Sequence, residues 1–182
     1  MIVTPKILAR LVAIALLAVL LQLSFFSGIH LLGTSPNILP AVVVSLGLLG
    51  GSMTGAVSGF GIGLLLDCLL VAPLGASSLV LLTTGYLAGI YRERFDITSS
   101  LVPPLMCMGL TLFAETAFAA VQLMLGVDAP VSPMVIREMA VTSIYAFFLG
   151  VPTYVAIRRI LRPALIDDRA VRRRIRPRML GA

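Results

Sequence analysis

The chain has 182 residues, of which 59% are hydrophobic and only 12% are charged. A soluble globular domain carries about 25% charged residues, so a water-facing surface of ordinary size is excluded and lipid must cover much of the protein. The net charge of +6 belongs to the C-terminal end, because nine of the 14 basic residues are arginines between Arg158 and Arg178. A basic tail beside a membrane segment is typical of binding to anionic lipid, and no basic patch with interleaved aromatic residues indicates nucleic acid.

Six apolar segments follow one another along the chain, near residues 7–27, 36–52, 54–71, 74–91, 101–125 and 134–157. About 20 apolar helical residues cross a hydrocarbon core about 30 Å thick. The segments lack the alternation of membrane β-strands, which leaves the helix as the spanning structure that satisfies its own backbone. We therefore predict an all-α integral membrane protein, with a six-span bundle over residues 1–160 and an Arg-rich cytoplasmic tail over residues 161–182.

Two of the expected helices lie in one uninterrupted apolar stretch, residues 38–71. A single helix of that length would be about 50 Å long at about 1.5 Å per residue, which is far more than a bilayer requires. We expect two shorter helices instead, joined near Gly50, Gly51 and Ser52.

The distribution of basic residues predicts the orientation. Lys6 and Arg10 precede or open the first segment, and Arg92 and Arg94 follow the fourth. The three loops expected on the opposite side contain no Lys or Arg. Because basic residues favour the cytoplasmic side, six spans with both termini in the cytoplasm fit this pattern, whereas five spans would place the arginine tail outside.

Small residues recur at every fourth position through the second and third segments. The glycines of this ladder, and the aspartate that continues it, are Gly47, Gly51, Gly55, Gly59, Gly63 and Asp67. Residues four apart share a helix face, and small residues there allow close helix packing in lipid. The ladder fits tight packing within the protein, with Gly85 and Gly89 of the fourth segment as the natural partner face, and it also fits a docking face for another membrane protein.

Four ionisable residues lie within or near the expected spans: Asp67, Glu115, Arg137 and Glu138. Such groups are costly in lipid and usually face protein or water. Asp67 and Arg137 are expected near the same outer surface, so we hypothesise an ion pair between them. Glu115 is deeper and has no basic residue at its depth, which leaves several interpretations: a protonated side chain, a hydrogen bond to a hydroxyl such as Thr111, or a water-filled cavity. It can serve a proton or substrate site, or a packing or partner contact.

The residue patterns of enzymes, cofactor sites and metal sites are not found in the sequence. His30 is the only histidine, and Cys68 and Cys107 lie in apolar runs without a second ligand at metal spacing. No serine has a base at a plausible spacing, and no paired-carboxylate or zinc-hydrolase motif occurs. We therefore expect neither enzymatic activity nor a bound cofactor. The run Arg172, Arg173 and Arg174 is expected to lie against anionic lipid.

Several motifs together resemble the rod-shape-determining protein MreD family. Gln22 lies near the end of the first segment, and Pro36 and Asn37 open the second. Members often carry aspartate where this chain has Asn37. The glycine ladder, with Phe60 beside Gly59, completes the resemblance, which extends over roughly residues 10–160.

The resemblance implies a non-enzymatic subunit of the bacterial cell-elongation complex in the cytoplasmic membrane. It implies partnership with MreC, and with the actin-like MreB, the glycosyltransferase RodA and a class B penicillin-binding protein, in directing side-wall peptidoglycan synthesis. The implied fold is similar to the substrate-binding subunits of energy-coupling-factor transporters. That similarity supplies an alternative function, the capture of a vitamin for such a transporter. A third class, a proton-coupled transporter, would depend on Glu115 alone.

Overall fold

A computed structural model describes residues 5–24, 37–70, 75–95, 102–126 and 133–175. These residues form six helices in chain order: α1 (Pro5–Ser24), α2 (Leu39–Gly50), α3 (Ser52–Leu70), α4 (Ala76–Arg94), α5 (Val102–Met124) and α6 (Pro133–Ile175). Each helix lies on one of the six apolar segments. The all-helical class and the order of its elements are therefore as predicted.

The helices differ in their ability to cross a membrane. Three stretches are long and apolar enough to do so: Ser52–Leu70, Val102–Met124 and Arg137–Ile160. The apolar stretches Ala9–Ser24 and Leu39–Gly50 are shorter. The 12 residues of α2 extend only about 18 Å at about 1.5 Å per residue.

The break between α2 and α3 lies at Gly51, within the predicted joint. Gly51 has a φ of 90°, a backbone conformation that only glycine adopts at little cost. Its N–H donates a 2.8 Å hydrogen bond to the carbonyl of Gly47, which closes α2. The chain then reverses direction, so that α3 begins at Ser52 and runs back along α2.

Helix α2 forms the centre of the bundle. Its residues from Leu39 to Leu49 are all buried, and it packs against each of the other five helices. One apolar cluster joins Leu46 to Val19 and Ile157, while the opposite face of α2 contacts α4 and α5 in a second cluster around Cys107. Because protein surrounds α2 and its backbone hydrogen bonds are internal, it does not need to be as long as a lipid-facing span.

Helix α6 continues beyond its apolar part. The expected tail begins at residue 161, yet α6 extends to Ile175 and contains 43 residues. Arg, Leu and Ala, which are abundant there, are good helix formers, so the loss of hydropathy does not end the helix. The side chains of Arg172, Arg173 and Arg174 lie outside the described part of the structure.

Candidate functional site

The closest backbone approach in the bundle joins α3 to α4. A Cβ atom built on Gly55 would overlap the carbonyl oxygen of Gly85, and one built on Gly59 would overlap the carbonyl oxygen of Leu81. In the other direction, a Cβ on Gly85 would overlap the carbonyl oxygen of Gly55. Backbone atoms cannot move aside as side chains do, so these positions accept only glycine at the present helix separation.

The same contact extends to both ends of the helix pair. A Cβ on Gly63 would overlap the backbone of Ser78, and a Cβ on Gly89 would overlap the backbone of Ser52. The structure therefore places the ladder against α4, within the protein. Gly61, in contrast, has no atom within 4 Å of an added Cβ, and Phe60 is exposed on the outer face of α3.

A carboxylate of α4 caps the N-terminus of α3. Glu93 Oε1 accepts hydrogen bonds from the backbone N–H of Ser52 at 2.9 Å and from its hydroxyl at 2.7 Å. Gly51 lies beside the same carboxylate, because its added Cβ would be 3.1 Å from Glu93 Oε1. The hydroxyl bond, then the backbone bond and the nearby charge of Arg92, lower the pKa of Glu93 below 4.5. The ionised carboxylate thus links the α2–α3 break to the end of α4, and complements the positive end of the α3 dipole.

A second carboxylate caps the opposite end of the same helix pair. Asp67 is 1% exposed, and its Oδ2 accepts hydrogen bonds from the backbone N–H groups of Gly75 at 2.9 Å and Ser78 at 3.4 Å. These donors belong to the N-terminus of α4, where anions are favoured. Asp67 Oδ1 is buried without a hydrogen-bond partner.

The hypothesised ion pair between Asp67 and Arg137 does not form in the described part of the chain. Arg137 is exposed, whereas the carboxylate of Asp67 is buried against α4. The hypothesis considered charged side chains alone, and backbone donors at a helix N-terminus bind one oxygen of this carboxylate instead.

Residues from α1 and from the chain just before α2 form a half-buried polar cluster. Gln22 Oε1 accepts a 2.9 Å hydrogen bond from the N–H of Ile38, and Asn37 Oδ1 accepts one from the N–H of Leu39 at 3.2 Å. Two family-motif residues therefore satisfy the otherwise unpaired donors of the α2 N-terminus. Pro36, the third residue of this motif, lies outside the described residues.

Glu115 joins this cluster from α5. Asn37 Nδ2 donates a 3.2 Å hydrogen bond to Glu115 Oε1, while Glu138 of α6 is exposed. The partner of Glu115 is thus the amide of Asn37 rather than a hydroxyl. Thr111, one turn earlier in α5, is fully buried and its hydroxyl has no hydrogen-bond partner.

Sequence reasoning did not single out Ser52 or Glu93 as a pair, and it did not connect Asn37 to Glu115. A signal for the first contact exists, since Ser52 follows a helix-ending glycine and Glu93 ends the antiparallel helix. The second contact depends on the tertiary position of α5. Among the described residues, no group of three His, Cys, Asp or Glu side chains is close enough to hold a metal ion.

Three helices of this bundle are long and apolar enough to cross a membrane, and glycine contacts hold α3 against α4. These features define a membrane protein of helical type. Its residues 5–163 match the family model described as rod shape-determining protein MreD. The chain belongs to the MreD family, as its motifs predicted, and the family indicates a structural role in rod shape determination. Comparisons with curated proteins and with solved structures gave no match, so the similarity to energy-coupling-factor subunits stays a prediction.

Proposed function

We propose that this protein is a non-enzymatic membrane subunit of the bacterial cell-elongation complex, which supports MreC and side-wall peptidoglycan synthesis and so maintains cell shape. The family match carries the proposal, because its residues 5–163 include α1 to α5 and the apolar part of α6. The glycine contacts between α3 and α4 favour a structural role, since they hold two helices at a fixed separation.

In the proposed arrangement, six helices cross the bacterial cytoplasmic membrane and both termini are cytoplasmic. The basic residues Arg92 and Arg94 at the end of α4 support this orientation. The central α2 is shorter than a bilayer, and the surrounding helices bury it, so its length is compatible with six crossings. The arginines of the C-terminal part of α6 would lie near anionic lipid headgroups.

The proposed partners are MreC first, and then MreB, RodA and a class B penicillin-binding protein. A scaffold requires exposed surface for such partners, and large apolar side chains on several helices are exposed; among them are Leu17, Val57, Leu79, Leu105 and Phe148. Lipid or partner helices would cover this surface in the membrane.

Deletion of the gene in its own bacterium, followed by expression of the tagged protein, tests the proposal. We expect rod-shaped cells to become round on deletion and to recover on expression, and MreC to co-purify with the tagged protein in mild detergent. If cells with a verified deletion keep their normal rod shape, the proposal is contradicted. A tightly bound vitamin with no elongation-complex protein would also contradict it.

A further inference from the structure

Helix α6 continues well past the part of it that is packed in the bundle or apolar enough to cross a membrane. The membrane-crossing stretch ends at Ile160, and Ile157 is the last residue of α6 in the described hydrophobic clusters. The helix itself ends at Ile175. It therefore extends about 22 Å beyond Ile160, at about 1.5 Å per residue.

This extension of α6 projects away from the membrane. The helix is unbroken from Pro133 to Ile175, although Pro163 lies inside it. A proline can kink a helix, but a helix that crosses the bilayer must turn by about 90° before it can lie in the interface plane. A turn of that size would interrupt α6, so the extension leaves the bilayer in roughly the direction of the membrane-crossing part.

The outer arginines of the extension lie beyond the lipid headgroups. The headgroup region adds about 5–7 Å to each side of the hydrocarbon core, and the Debye length at physiological salt is about 8 Å. Arg159 and Arg162 lie within about 3 Å of Ile160 along the axis, so the lipid contact proposed above belongs to them. Arg173 lies about 20 Å beyond Ile160, where salt screens most of the attraction to anionic lipid and a soluble partner is favoured.

Four arginines of α6 form a row along one helix face. Arg158, Arg162, Arg169 and Arg173 follow one another at intervals of four, seven and four residues, which keeps these positions within about 60° around the helix. Asp167 occupies a position about 180° from Arg158. At the bundle end of the row, Arg158 is exposed and has no ion-pair partner among the described residues.

Charge and composition indicate which kind of molecule fits this arginine row. Residues 158–175 include seven arginines and two aspartates, so this stretch is strongly positive. Guanidinium groups bind carboxylates through paired N–H donors. Nucleic acid fits less well, because no aromatic residue follows Tyr154 and bases would have no ring on which to stack.

We propose that the extension of α6 docks through its arginine row on an acidic, carboxylate-lined surface of a cytoplasmic protein. The row is about 22 Å long from Arg158 to Arg173, so the partner surface presents carboxylates over a similar length. This inference rests on the proposed function, which places the C-terminal end in the cytoplasm, and it specifies the chemistry of one partner contact.

The first test measures binding to the full-length protein in nanodiscs of phosphatidylcholine, which has no net charge. The probe is a fluorescent synthetic helix with four glutamates at the spacing of the arginine row, and the reference probe has glutamine at the same places. Fluorescence anisotropy at physiological salt follows the binding. We expect the glutamate helix to bind about three- to tenfold more tightly, as for a few exposed ion pairs.

Two pairs of substitutions localise the effect. Arg169→Gln with Arg173→Gln removes two charges from the arginine row, so the preference for glutamate should largely disappear. Arg159→Gln with Arg174→Gln is the control, because it removes the same charge at positions about 100° and 160° from Arg158 and should leave the preference in place. If a variant does not fold, the comparison of the two probes on the unaltered protein still decides the question.

A second measurement distinguishes a protein partner from the membrane. A fluorophore is attached at Ile160→Cys or at Ala170→Cys, in vesicles that contain phosphatidylglycerol and a lipid with a nitroxide headgroup. Cys68 is exposed and is replaced by alanine, whereas Cys107 is buried. We expect strong quenching at residue 160 and little at residue 170, which lies about 15 Å farther along the helix.

Equal binding of the two probes would overturn the inference, and so would equal effects of the two pairs of substitutions. Equal quenching at residues 160 and 170 would also overturn it, because the extension would then lie on the lipid surface. None of these results depends on cell shape or on co-purification with MreC, so the docking surface can fail while the proposed function stands.

Discussion

Substitution of Gly59 by alanine tests the backbone contact between α3 and α4 most sharply. The added methyl group would overlap the carbonyl oxygen of Leu81, and it would lie 2.7 Å from the carbonyl carbon of Leu81 and 3.1 Å from the nitrogen of Leu82. Carbon atoms in optimal contact are about 3.5–4.0 Å apart, so the helices must separate locally by about 1 Å.

The expected cost is the difference between two opposing effects. Overpacking of a close contact typically costs about 1–3 kcal/mol, while alanine in place of glycine inside a helix gains about 1 kcal/mol. We therefore expect Gly59→Ala to lower the free energy of unfolding by up to about 2 kcal/mol. The same substitution at Gly61 meets no atom within 4 Å, so only the gain applies and stability should stay equal or rise by about 1 kcal/mol.

The assay is unfolding of the purified protein in mixed micelles, followed by circular dichroism as the fraction of denaturing detergent rises. Gly59→Ala and Gly61→Ala differ by two positions in one helix and share the same chemical change, so each serves as the control for the other. Equal destabilisation by the two substitutions would refute the close backbone contact as the cause.

Three further predictions concern the polar contacts. Because hydrogen bonds from the N-terminus of α3 hold the pKa of Glu93 below 4.5, the stabilisation by its carboxylate is present above about pH 4.5 and is lost as the pH falls through the lowered value. The melting temperatures of wild type and Glu93→Gln should therefore differ at neutral pH and converge in acid. A difference in melting temperature that does not change with pH would argue against the carboxylate cap on α3. Asp67→Ala should lower the free energy of unfolding in detergent by about 1–2 kcal/mol, as expected for a lost helix cap, whereas Arg137→Ala should change it little. Equal losses in the two variants would instead support the ion pair between Asp67 and Arg137. Gln22→Leu should cost about 1 kcal/mol by leaving the half-buried N–H of Ile38, at the N-terminus of α2, without its partner. An unchanged unfolding curve would contradict that contact.

The helical class and the break at Gly51 could be predicted from the sequence, because both follow from local rules. Hydropathy locates the helices, and the length of a bilayer rules out one long helix over residues 38–71. A glycine at the joint then supplies the backbone conformation that the reversal requires, with φ of 90°. The register of α3 against α4 could also be anticipated, since glycines at intervals of four on both helices predict a close contact.

The polar contacts could be predicted less well, for a physical reason. Asp67 was expected to bind Arg137, because charge and depth are visible in a sequence, whereas the N–H of Gly75 becomes a partner only when the next helix begins beside it. The contact between Asn37 and Glu115 joins residues 78 positions apart, and no local pattern fixes that separation. Helix α6 continues to Ile175, past the predicted boundary between membrane domain and tail, because hydropathy reports where lipid contact ends while helix propensity continues through the arginines.

The central proposal is a bundle that crosses the membrane six times with both ends in the cytoplasm. Reporter fusions after Gly126 and after Ala182 test it most directly, with a fluorescent protein that matures only in the cytoplasm and alkaline phosphatase, which is active only outside. The account predicts phosphatase activity after Gly126 and fluorescence after Ala182. Phosphatase activity after Ala182 would place the C-terminus outside the cytoplasm and would contradict the account.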